Sequence, residues 1–380
     1  MVAFANYFSN DREVHVITLE NQDSLYVDPG FRGNWQELGV HVHFVRDPVP
    51  KRAIRASAHR NSSRLGLLRA FLRYSGIDKD FLAGLKLLAK VWRLRSELRG
   101  CIVLGSFPGG VNVFVAACAK FMLKGVLFVD FRDAWTLDAD YSFNVFTPVT
   151  KMLERYLVKS ADVLSFVSTG VSLQLIDFSK RKGLSKLITN GADKVEVVPD
   201  DRQPGVRVFG YFGSLTGAGR DFGPVIEALK VLKARSNVCV QFDIYTSDKR
   251  EDILEFVERA GVTNAIRVHA PVSMKKFFSI CASWDAGLVI TRKDPRARGE
   301  LTTKLFDYVA AGLPVVALAP DGFDIHQIVR EIPTSASLAP EKTEALAELL
   351  AKHDFCRLKA DVARRFTREA ILAQSLEGVL

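Results

Sequence analysis

Two stretches of this chain bring glycine, hydroxyl and basic side chains together at strand-to-helix corners. In GYFGSLTGAGR (210–220) an apolar strand runs into a glycine-bearing loop and then a helix. Glycine lets backbone N–H groups approach an anion closely, and a helix N-terminus adds partial positive charge. Arg220 would neutralise a phosphate directly. The spacing is not GxGxxG, and a purely structural tight turn is the competing reading. In RGELTTKLFDYVAAGLPVV (298–316) a loop presents Gly299, Thr302, Thr303 and Lys304 near the start of a helix. N–H groups, hydroxyls and an ammonium converging there make a diphosphate site. Asp307 falls one turn later, where a carboxylate can accept hydrogen bonds from ribose hydroxyls. The competing reading is a basic first turn with Asp307 as a surface charge.

Other segments are weaker. His269-Ala270-Pro271-Val272 follows a strand and would wall a base pocket, or simply pack as a loop. In FRDAW (131–135), Asp133 stands at a strand end, where it would orient a hydroxyl or act as a base. Arg132 and Asp133 would equally make a structural ion pair. His41, His43 and His269 lie in or beside apolar strands, which favours core or hydrogen-bonding roles. No run of residues has metal-ligand spacing, so no metal site is expected.

The elements that carry these residues alternate. Strands are expected at 13–19, 40–45, 101–106, 126–131, 163–167 and 186–189, with helices at 62–75, 80–98, 111–123 and 147–159. A polar, turn-rich PDDRQPG (199–205) then reads as a linker. The pattern restarts with strands at 207–212, 238–245, 265–268, 284–290 and 314–317. Helices follow at 222–234, 249–260, 273–280, 301–311, 343–353 and 357–375. Short apolar strands alternating with helices imply parallel sheets covered on both faces. The expected division is a domain over 1–198, a second over 206–356, and a C-terminal helical segment, 357–380, that packs back on the first.

Composition narrows the class. At 48% hydrophobic and 25% charged residues, the chain is an ordinary globular protein. Its longest apolar region, 111–131, is interrupted by Lys120 and Lys124, which argues against a membrane span. Its first residues lack a signal-peptide pattern. The five cysteines are scattered without a CxxC pair, as expected of a reducing cytoplasm. Residues 46–100 hold fourteen basic and four acidic side chains, so this segment carries +10 where the whole chain carries +9. Leu65, Leu67, Leu68, Phe71 and Leu72 sit among these charges at roughly helical spacing. The segment reads either as a solvated helix face or as a surface that docks on anionic lipid. No nucleic-acid-binding pattern accompanies it.

Four stretches together resemble the two-domain GT-B glycosyltransferases, of the retaining family 4 type found in bacterial surface-polysaccharide assembly. They are VDFRDAWT (129–136), ITNGAD (188–193), YFGSLTGAGRDFGPVIEAL (211–229) and GELTTKLFDYVAAGLPVVAL (299–318). The resemblance implies two Rossmann-like domains facing across a cleft, with a nucleotide-sugar held by the C-terminal one. Gly213 and Ser214 would approach the diphosphate and Arg220 would pair with it. Leu301, Thr302 and Thr303 would offer it backbone and hydroxyl contacts, with Lys304 close behind. Asp307 takes the place of a ribose-binding glutamate, Asp133 would line the acceptor side, and Glu300 is the candidate to contact the transferred sugar. No cofactor or metal is implied beyond the nucleotide-sugar as co-substrate. The departing diphosphate would be stabilised by basic groups and N–H dipoles.

Two departures stand out. Such proteins commonly show Glu-x7-Glu, whereas Glu300 and Asp307 are seven apart and Gly299 stands eight before Asp307. The chain also opens on what reads as the end of a first helix, so the first strand of the N-terminal domain is expected to be missing; either a start codon assigned too late, the favoured reading, or a shortened protein would account for it. The leading expectation is transfer of a hexose-type unit to a hydroxyl acceptor, a lipid-linked or polysaccharide intermediate, at the inner face of the cytoplasmic membrane. The alternatives are an inactive scaffold of the same fold and a sugar-nucleotide epimerase.

Overall fold

The computed structural model describes residues 2–20, 39–46, 81–108, 110–139, 141, 143, 147–181, 183–215 and 219–378. The helix expected over 62–75, and most of the basic segment, lie outside these residues. The chain divides into two compact units, one of Met1–Val167, Val171–Ile188 and Ser375–Leu380, the other of Ser168–Gly170 and Thr189–Gln374.

The N-terminal unit opens with α1 (Val2–Phe8), β1 (His15–Glu20) and β2 (His41–Arg46). It continues through α2 (Phe81–Arg93), β3 (Ile102–Phe107), α3 (Gly110–Leu123), β4 (Val126–Phe131), α4 (Thr147–Ser160), β5 (Val163–Phe166), α5 (Thr169–Ser179) and β6 (Ser185–Leu187). Its strands are parallel and form a two-stranded sheet, β1-β2, and a four-stranded one, β3-β4-β5-β6. In the doubly wound order 3-2-1-4-5-6 the first strand lies between the second and the fourth. Among the described residues no ladder joins β1 to β3. Side chains span that interval instead: Val91, Ala119 and Leu123 form a buried cluster with Ile17, Cys101 and Val103 packed on it. Strand β4, VLFVDF, is covered on both faces, and Leu127, Phe128 and Val129 are fully buried. That explains an apolar run where a half-exposed strand would alternate.

The C-terminal unit holds β7 (Val206–Phe212), α6 (Gly223–Arg235), β8 (Cys239–Tyr245), α7 (Arg250–Arg259), β9 (Ile266–His269), α8 (Met274–Cys281) and β10 (Ala286–Ile290). It ends with α9 (Thr303–Ala310), β11 (Val315–Leu318), α10 (Ile325–Arg330), β12 (Ala336–Leu338), α11 (Thr343–Lys352), α12 (Ala360–Arg364) and α13 (Arg368–Leu376). All strands are parallel, in the order β12-β11-β10-β7-β8-β9. The chain therefore winds outward from β7 to β9, crosses back, and winds outward again from β10. The crevice beyond the carboxyl ends of β7 and β10 is thus the topological switch point, where open parallel sheets bind ligands. An aromatic core stiffens these central strands: Phe209, Tyr211, Phe242, Trp284 and Tyr308 are all buried. Gly210 is required there, because a Cβ would overlap the Trp284 ring.

The single helix expected over 357–375 is instead two, α12 and α13. The backbone N–H of Arg368 donates to Ala192 O (2.9 Å), and Ala192 N–H donates to Phe366 O (3.0 Å). This pairing pulls 366–368 out of helical geometry. The Thr367 hydroxyl then accepts from Ala370 N–H (3.3 Å) and restarts the helix. Two helices were not anticipated. α5 begins Thr-Gly, which reads as a turn, and α10 is too short for its periodicity to register.

Candidate functional site

Strand β7 ends at Phe212, and Gly213 follows with φ 129°. That conformation is strained for any L side chain. A Cβ on Gly213 would also collide with the Lys304 ammonium, which lies over this backbone and 5.0 Å from the centre of the Tyr211 ring. Arg220, beyond the loop, pairs in an isolated antiparallel bridge with Arg292, which follows β10. Two loops from adjacent strand ends are thereby zipped together. Arg220 Nη2 donates to Glu300 Oε1 (2.5 Å), and Arg292 Nε donates to Glu300 Oε2 (3.0 Å). Residues 216–218 of the loop lie outside the described residues.

Arg220, Arg292 and Lys304 thus stand around one carboxylate, that of Glu300. Two guanidinium groups and an ammonium gather here on a single shared carboxylate, in side chains that are largely buried. The Lys304 ammonium is held down to about 8, chiefly by burial and then by Arg220, with Glu300 working the other way. A phosphate anion bound there would reverse that depression.

The remaining anticipated donor residues fall into different surroundings. The Ser214 hydroxyl donates to Asp248 Oδ1 (2.7 Å), and Leu215 N–H donates to Asp248 Oδ2 (2.6 Å), which fixes the loop. The Leu301 side chain is buried, and its carbonyl accepts from Asn190 Nδ2 (2.6 Å). Thr302 is the N-cap of α9 by backbone conformation, without a side-chain cap bond, and Thr303 is exposed on the first turn. Asp307 is mostly buried. Burial raises its carboxyl to about 6; Arg368 opposes this and Asp193 adds to it. Its electrostatic partners therefore come from 193 and the start of α13, whereas those of Lys304 are Arg220 and Glu300.

Further along the same edge of the sheet, the His269 ring at the end of β9 stacks on Tyr245 at the end of β8, with centroids 4.5 Å apart. Asp243 braces this corner, accepting from Arg267 Nε (2.6 Å) and Trp284 Nε1 (3.1 Å).

In the N-terminal unit, Asp133 is half-buried in the turn after β4. The Arg132 guanidinium Nε donates to Asp130 Oδ2 (2.7 Å) and Nη1 to Ile188 O (3.1 Å). Asp130 is fully buried and also accepts from Ser106 Oγ (3.2 Å) and Ser165 Oγ (2.6 Å), its register partners on β3 and β5. Three residues past Asp133, the Thr136 hydroxyl donates to the buried Glu154 carboxylate. Burial raises Glu154 to about 7, against the effect of those Thr136 bonds.

Sequence reasoning missed Arg292 and Asp130. Arg292 opens a basic run, TRKDPRAR, directly after an apolar strand, and that placement was the available signal. Asp130 sits inside an apolar strand one residue before its end, and only the cross-strand serines explain it.

No protein-family model matches the chain, and no curated protein does. Solved structures do. The lipopolysaccharide outer core galactosyltransferase WaaB in its apo form superposes with a TM-score of 0.58 at 13% identity, over 95% of this chain and 97% of that one. HepE of Anabaena in complex with UDP superposes with a TM-score of 0.59 at 15% identity, over 96% and 98%. Sucrose-phosphate synthase from Thermosynechococcus elongatus does so with a TM-score of 0.60 at 14% identity, over 95% and 97%. The chain has the GT-B fold. The parallel α/β sheets expected from the sequence are those of this fold.

Proposed function

We propose that this chain is a glycosyltransferase that takes a sugar from a nucleotide-sugar donor and transfers it to a hydroxyl acceptor. The observation that carries the reading is the gathering of Arg220, Arg292 and Lys304 around Glu300 and Gly213 at the switch point of the C-terminal sheet. A diphosphate fits this chemistry: it is an anion that stays bound through N–H and guanidinium groups as the sugar leaves. The α9 N-terminus with Thr302 and Thr303 adds donors, Asp307 takes a ribose hydroxyl, and the Tyr245–His269 stack offers a flat face to a base. The reaction runs without a metal and retains the anomeric configuration. HepE, of the same fold, has been crystallised with UDP-glucose and with UDP and glucose, which makes UDP-sugars the first donors to try.

On the acceptor side we infer a lipid-linked or polysaccharide hydroxyl met at a membrane surface, with Asp133 orienting it. No helix among the described residues is long and apolar enough to cross a membrane. Within the described part of the basic segment, α2 buries Leu87 and Val91 and exposes Leu85, Lys86, Trp92 and Arg93. Arg95 lies over the Trp92 ring at 4.3 Å. Aromatic and basic groups on one exposed face suit an interfacial helix at anionic lipid.

Thermal-shift screening against a panel of nucleotide-sugars, followed by donor hydrolysis and transfer assays, tests the proposal. Stabilisation by a nucleotide-sugar with turnover supports it; no response across the panel refutes it. A second reading, donor binding without turnover, has one observation in its favour: both oxygens of Glu300 are engaged by arginines. Binding with no product from any acceptor or from water would select it.

A further inference from the structure

The parallel pairing of β1 and β2 sets His15 opposite His41 and Ile17 opposite His43, so imidazoles from two strands meet at one place. The His15 ring stacks on those of His41 and His43, with centroids 4.7 and 5.3 Å away. Glu13, just before β1, completes the group. Its Oε1 lies 3.1 Å from His15 Nε2 and 3.3 Å from His41 Nε2. The three donor atoms all fall within 4.8 Å of one another. In a tetrahedral zinc site, metal–donor bonds of 2.0–2.1 Å place neighbouring donors about 3.3 Å apart. The two edges through Glu13 already have that length.

We propose that Glu13, His15 and His41 bind a divalent cation of the zinc class, through one carboxylate oxygen and two imidazole Nε2 atoms, with water in the fourth position. Two imidazoles and a carboxylate suit zinc and its late first-row neighbours better than calcium or magnesium. The opposite nitrogen of His15 is supported as such ligands usually are. His15 Nδ1 lies 3.0 Å from His43 Nε2 and 3.8 Å from Glu97 Oε1. His15 is nearly buried, which gives the ion a fixed anchor, while Glu13 and His41 are more than half exposed and can close on it.

The site sits at the amino ends of β1 and β2, away from the carboxyl ends at which parallel sheets bind substrates. Its role is therefore that of a clip. A two-stranded sheet has little stability of its own, and a cross-strand metal ties His15 to His41 where the pairing begins.

The test uses the full chain without a polyhistidine tag, stripped by EDTA and dialysed. Zinc chloride is titrated by calorimetry, and cobalt(II) is followed by its visible absorption. One ion bound per chain, a four-coordinate cobalt spectrum and a raised melting temperature are expected. Glu13→Gln and His41→Ala, at exposed positions that leave the far-UV circular dichroism unchanged, should each weaken zinc at least tenfold. Glu97→Gln, one contact further out, should weaken it about tenfold. No binding of either metal up to millimolar concentration overturns the proposal. So does one-to-one binding that survives unchanged in both the Glu13 and His41 variants.

Discussion

Raising the pH from about 7 to about 9 should weaken donor binding through Lys304 alone. The ammonium is held down to about 8 in the free protein, chiefly by burial and then by Arg220. The sign follows from its charge: a bound diphosphate stabilises the protonated form, so the bound-state pKa lies higher and binding takes up a proton as pH rises. With a free-state value near 8, the protonated fraction falls about tenfold between pH 7 and pH 9, which corresponds to about 1.4 kcal/mol of binding free energy. Calorimetry with UDP-glucose at constant ionic strength measures the effect, with the uracil N3–H ionisation at the alkaline end subtracted; the diphosphate diester itself does not titrate between these pH values. Lys304→Ala should bind more weakly at pH 7 and lose that part of the pH dependence. If Lys304→Ala keeps the slope of the parent protein, Lys304 does not touch the diphosphate and the site is wrongly drawn.

Arg220→Ala and Arg292→Ala should each cost about 1–3 kcal/mol of donor affinity, as loss of a charge-assisted bond does; unchanged calorimetric affinity in both would count against the switch-point site. Glu154 has its carboxyl raised to about 7 from an ordinary 4.5, mainly by burial. The native state therefore keeps a proton that the unfolded chain has released, and stability falls as pH climbs through that window. Urea midpoints at pH 5 and pH 8 should show the parent losing up to about 3 kcal/mol more than Glu154→Gln; equal losses would refute the burial argument. Gly210→Ala forces a methyl into the Trp284 ring and should destabilise the C-terminal unit by about 1–3 kcal/mol or more, read as a lower melting temperature. Vesicle pelleting should require anionic lipid and decline with salt; equal binding to neutral vesicles contradicts the electrostatic reading.

Much of the architecture was legible because period and punctuation agree with burial. Strands such as VLFVDF and AGLVI are apolar but for Asp130 and are buried throughout or nearly so. The corners that hold Gly213, Arg220 and Lys304 were legible too, since glycine, a base and a helix start follow a strand in each. The broken helix at 366–368 was not legible, because a backbone pairing with Ala192 decides it. Nor was the partner of Arg132, which is chosen by the depth of Asp130 between two serine-bearing strands.

By itself the sequence determined which residues stand at strand ends, since alternation and turn chemistry are local. Only the tertiary structure decided which strand ends are neighbours. The order β10-β7 brings Arg292 to Arg220 and Glu300, and the register of β1 with β2 brings His41 to His15 and Glu13. The physical reason is that charge balance and metal geometry depend on distances across hydrogen-bonded strands, and spacing along the chain does not encode them.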